Sequence, residues 1–77
     1  MGMNKCLEAR EKLGLSRTEF GVRVFGYPRI RAYNTIYFWE TGIRNPSIPA
    51  KKMFDIIILL ADDEDCKKAL ELILGDK

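Results

Sequence analysis

Residues Phe25 to Gly42 read FGYPRIRAYNTIYFWETG, and whether the second half of this stretch is helix or strand decides the fold of the chain. It holds all three tyrosines and the only tryptophan of the 77 residues, with Arg29 and Arg31 on either side of Ile30. Intrinsic propensity pulls YNTIYFW, from Tyr33 to Trp39, toward strand, because aromatic and β-branched side chains suit a pleated surface. The spacing argues the other way. Ala32, Ile36, Trp39 and Glu40 fall on one side of a helix, and Gly42 stands where a left-handed residue ends one. We therefore expect a helix from about Ala32 to Thr41. Before it, GYPRIRAYN reads as a turn and loop, since Pro28 lacks an N–H and pushes Tyr27 away from helical geometry. The stretch poses a functional choice too: a core aromatic cluster decorated with charge, or a surface made for flat bases and charged phosphates.

Working outward, the neighbours read as helices. Cys6, Ala9 and Leu13 recur at helical spacing between Asn4 and Leu13, and Gly14 stops the run. Ser16 to Glu19, SRTE, forms a capping box in which the Ser16 hydroxyl and the Glu19 carboxylate each accept a backbone N–H of the other residue. A second helix therefore begins at Ser16, with Phe20, Gly21, Val24 and Phe25 inward and Gly26 at its end. Ser47 and Pro49 open a fourth helix through AKKMFDIIILLA, with Met53, Phe54, Ile57, Leu60 and Ala61 inward. Ile56, Ile58 and Leu59 cover its other sides, so burial nearly all round is expected. DDED, Asp62 to Asp65, places carboxylates at the positive start of a last helix striped by Cys66, Ala69, Leu70, Ile73 and Leu74. The fold class expected is all-α, five short helices in one domain over residues 1–77.

Composition narrows the function. The chain is 47% hydrophobic and 31% charged, in the globular range. It has no histidine and two cysteines without Cys-x-x-Cys spacing, so neither a metal site nor a cofactor is expected, and the thiols read as reduced. No Gly-rich phosphate loop or Cys–His pair accompanies the carboxylates, so an enzyme is not expected. IIILLA, Ile56 to Ala61, is far short of a membrane span, and no apolar run follows Met1 to Lys5 as in a signal peptide; a soluble, cytoplasmic protein is expected. The net charge of +2 hides a polarity. Residues 1–52 carry ten cations against four carboxylates, a balance of +6, and residues 53–77 carry −4. The first two-thirds thus suit an anionic partner.

Two pieces, AREKLGLSRTEF from Ala9 to Phe20 and TIYFWETGIRNPS from Thr35 to Ser47, resemble the Cro/CI-type (xenobiotic-response-element) family of phage and prokaryotic repressors. The resemblance covers roughly residues 4 to 61. It implies a five-helix, lambda-repressor-like bundle with a helix-turn-helix core at about residues 16–41, whose third helix enters the major groove of double-stranded DNA. It carries Arg17 onto a phosphate-contacting position and Arg44 and Asn45 onto a loop that grips the adjacent backbone. Tyr33, Asn34, Thr35 and Tyr37 fall on positions that reach base edges, and Arg10 and Glu40 on a structural salt bridge between the first and third helices. The chain is longer than the family's pattern between Val24 and Tyr33. That excess puts Arg29 and Arg31 in a protruding turn, expected to touch phosphate or the minor groove. Gly21 replaces an alanine usual in the family, a difference expected to matter little.

The resemblance implies a transcriptional regulator, a repressor acting as a homodimer on a palindromic operator. An antitoxin-type autoregulator with a toxin as protein partner is close to that reading. A helical protein-interaction module that does not bind DNA is the alternative, since Tyr, Trp and Arg also dominate protein hot spots. Trp39 and Ile36 read as core anchors. For Tyr33 and Tyr37, one ring in the core and both rings outward remain open.

Overall fold

The computed structural model describes residues 4–75, which form five helices: α1 (Lys5–Leu13), α2 (Arg17–Phe25), α3 (Arg29–Thr41), α4 (Ile48–Ala61) and α5 (Glu64–Gly75). The described chain is all-α, and YNTIYFW is helical despite its strand-like composition. Tertiary burial of Ala32, Ile36 and Trp39 along one face outweighs the local preference.

Local chemistry sets most of the boundaries. Asn4 caps α1 by accepting the Leu7 N–H at 3.1 Å, while its amide donates to the Trp39 carbonyl at 3.1 Å and so fastens the start of α1 to the end of α3. Ser16 and Glu19 form both bonds of the capping box, at 3.1 and 3.2 Å. Ser47 caps α4 through the Ala50 N–H at 3.3 Å. Asp63 accepts from the N–H groups of Asp65 and Cys66 at the start of α5. Gly14, Gly26 and Gly42 all take the left-handed conformation that ends a helix, with φ between 69° and 81°.

α2 packs chiefly on α3 and α1 on α4, with α5 laid against α4 and the side of α2. The core between them is aromatic. Phe20 stacks on Phe54 with centroids 6.1 Å apart, and Phe25 and Trp39 meet edge to face at 5.5 Å. Cys6, Ala9, Ile36 and Ile57 complete it. Both cysteines are free; burial pushes the Cys6 thiol up to about 12, with the nearby Glu40 charge adding to it, so that sulfur stays a neutral core atom.

Two expectations change. α4 is not buried all round, since Ile56 is exposed and Leu59 72% exposed; on the stripe of α5, Ala69 is exposed and Ile73 75% exposed as well. α4 packs chiefly on α1 and α5 and reaches α2 and α3 through Phe54, so among the described residues its side at Ile56 and Leu59 lacks a covering element. Gly21 is also more than a tolerable replacement. A Cβ there would lie 2.5 Å from the Ala32 Cβ and 2.8 Å from its Cα, because α2 and α3 approach almost backbone to backbone. Gly21→Ala is expected to lower stability by about 1–3 kcal/mol despite alanine's better helix propensity, since overpacking against a backbone has no rotamer to relieve it. Thermal unfolding followed by circular dichroism checks this, and Gly21→Ala/Ala32→Gly should recover part of the loss.

Candidate nucleic-acid interface

α3 starts earlier than its sequence spacing indicates. The link from α2 is only Gly26, Tyr27 and Pro28, and Arg29, Ile30 and Arg31 form the first turn of α3 rather than a protruding loop. Pro28 restricts the residue before it, and its own ring leaves the chain after it free to coil; here it is the N-cap, with no side-chain cap beside it. Residues 29–31 thus lengthen α3 at its N-terminal end.

With Ala32, Ile36 and Trp39 buried, the helical period turns Ile30, Asn34, Tyr37 and Thr41 to the opposite side, and all four are exposed. Ile30 is 81% exposed, although it is one of the most apolar residues of the chain. The Asn34 amide makes no hydrogen bond among the described residues, whereas the Thr41 hydroxyl is spent on the Tyr37 carbonyl at 2.8 Å.

Arginines lie on both flanks of this stripe, and three of them, Arg17, Arg31 and Arg44, sit against an aromatic face. On one side Tyr33 and Tyr37 stack in parallel, 6.2 Å apart, so both rings lie outside the core. The Arg17 guanidinium sits over them at 5.8 and 5.3 Å. Its Nε donates to Glu40 Oε1 at 2.8 Å, a bond that raises the Arg17 pKa above the ordinary arginine value against a smaller opposing effect of burial. Arg29, one turn before Tyr33, belongs to the same flank. On the other side Arg31 lies over Tyr27 at 5.1 Å and Arg44 over Phe38 at 5.6 Å. Such contacts hold a guanidinium in place by about 0.5–1 kcal/mol each at exposed sites while leaving its N–H edge free to bind.

Arg31 and Arg44 line one open cleft of about 690 Å³, together with Asn34, Thr35, Asn45 and Ser47. The structure therefore gathers Arg31, Asn34, Thr35, Arg44 and Asn45 around the cleft and Arg17, Tyr33 and Tyr37 on the opposite flank. Arg17, expected at a phosphate-contacting position, is tied to Glu40 as well. Ile30 and Phe38 escaped the sequence reading. For Ile30 the available signal was its four-residue spacing to Asn34, which counts only once the helix is run back to Arg29.

Ion pairing sharpens the charge polarity. Lys5 and Lys12 pair with Asp55 and Asp62, Arg23 with Glu19, and Arg10 and Arg17 with Glu40. Arg29, Arg31, Arg44, Lys51 and Lys52 have no ion-pair partner among the described residues before Met53 or beyond. Glu40, the one carboxylate of α3, points inward: it is 3% exposed and takes Arg10 Nε at 2.6 Å as well as Arg17. The outward surface of α3 consequently carries positive charge without a competing acid.

No helix of the described residues is long and apolar enough to cross a membrane. No protein-family model matches the chain, and neither a curated protein nor a solved structure matches it.

Proposed function

We propose that the chain is a sequence-specific DNA-binding regulator of the Cro/CI type, a repressor in the cytoplasm. In this reading α2, the Gly26–Pro28 link and α3 are a lambda-repressor-like helix-turn-helix. α3 enters the major groove, while Arg17 and Arg29 on one flank and Arg31 and Arg44 on the other meet the phosphates bordering it. The observation that carries it is the outward stripe of α3, lined on both sides by arginines stacked on aromatic rings, with its only carboxylate turned inward. Arg29 and Arg31 also crowd the positive end of α3, where cations are unfavourable unless an anion lies between them. The exposed Ile56, Leu59, Leu72 and Ile73 supply apolar surface for a second copy, so that a homodimer would fill two half-sites.

Fluorescence anisotropy against duplexes from immediately upstream of the coding sequence and against scrambled DNA, each across a salt series, tests the proposal. Tighter binding to the upstream duplex and a steep loss of affinity with salt are expected. A folded sample that binds neither duplex at low salt would overturn it in favour of a protein-interaction module.

A further inference from the structure

Resting on that reading, we infer that α3 is built to read A·T pairs, with Asn34 and Ile30 as the residues that set specificity. A guanine is ordinarily read by an arginine or lysine reaching O6 and N7, and the outward stripe Ile30–Asn34–Tyr37–Thr41 contains neither. The arginines nearby lie off the stripe. Arg17 is held by Glu40 and two tyrosine rings, Arg31 lies over Tyr27 and Arg44 over Phe38, and Arg29 falls on the Tyr33 flank of the helix, all on the sides where the proposed reading puts the phosphates.

What remains at the centre has one matching set of base edges. A carboxamide with no hydrogen-bond partner among the described residues presents an N–H donor beside a carbonyl acceptor, the pattern that adenine N7 and N6 complete. An 81% exposed isoleucine gains nothing from water, and the thymine 5-methyl is the apolar group the major groove presents. Ile30 and Asn34 are four residues apart, about 6 Å along a helix at 1.5 Å per residue, which spans about two base-pair steps of 3.4 Å. The element they read is a thymine and an adenine separated by no more than about that distance.

Selection of tight-binding sites from random duplex DNA, followed by base analogues in the selected site, tests this. The half-site should be A·T-rich at its centre. Uracil in place of the contacted thymine removes only the methyl, and 7-deaza-adenine removes only the N7 acceptor. Each should weaken the unaltered protein, the first several-fold and the second about tenfold or more. Uracil should make no difference to Ile30→Ala, nor 7-deaza-adenine to Asn34→Ala. Selected sites centred on G·C, or analogues that leave the unaltered protein's affinity unchanged, would overturn the inference and leave DNA binding standing. Recovery of no duplex from the selection would remove the DNA reading itself, and this inference with it.

Discussion

Glu40→Ala is expected to lower the melting temperature by roughly 12 °C or more, at about 4–8 °C per kcal/mol for a domain of this size. The carboxylate is 3% exposed and shared by Arg10 and Arg17, which are 17% and 32% exposed. Its removal leaves two guanidiniums facing each other in a site largely closed to water, and breaking a buried pair from one side typically costs about 3–5 kcal/mol. Arg17 keeps access to solvent, which places the loss toward the lower end. Since the penalty lies in the uncompensated charge rather than in the worth of the bond, Arg10→Met should recover part of the stability in the Glu40→Ala background. A double-mutant cycle by thermal denaturation measures that coupling. A shift of only two or three degrees would mean that Glu40 is not the tie between α1, α2 and α3. On the proposed function a consequence follows from the same bonds: without Glu40 only the two tyrosine rings hold Arg17, so DNA affinity should fall even where the protein still folds.

If the proposed function holds, Arg31→Ala/Arg44→Ala carries the second large effect, on DNA affinity rather than on stability. Both side chains lie on the surface over aromatic rings, and neither has a carboxylate partner among the described residues, so the fold should lose little. Each phosphate contact contributes about 0.9 to the slope of log affinity against log salt, so the double variant should flatten that slope by about 2 per protomer. At charge-assisted hydrogen bonds of about 1.5–3 kcal/mol, the loss at low salt is on the order of a hundredfold or more. Arg→Lys at both positions keeps the charge but not the flat stack on Tyr27 and Phe38, so it should retain most of the slope and only part of the affinity. An unchanged slope in the alanine variant would place the DNA strand away from the cleft.

Much of this architecture could be read along the chain because it rests on neighbours within one turn. The capping box at Ser16 and Glu19, the left-handed glycines at 14, 26 and 42, and the Ser47 cap depend on groups three or four residues apart. Arg10 and Glu40 are thirty residues apart and were reachable only through resemblance; the pairing geometry comes from α1 and α3 meeting in the core. The candidate surface was legible in kind, as arginines and tyrosines around one helix, but not in arrangement. Pro28 looked like a breaker over several residues and acts as an N-cap, which brings Ile30 onto the outward stripe beside Asn34.

The sequence by itself determined the five helices, their class and most of their ends, because caps, turns and apolar periodicity are local physics. Tertiary structure alone decided which surfaces those helices present. The near contact of Gly21 with Ala32, the third member of the Arg10–Glu40–Arg17 cluster and the bare outer sides of α4 and α5 all depend on which neighbour occupies each face. A helix in isolation has no preferred inside, and only packing against another element creates one.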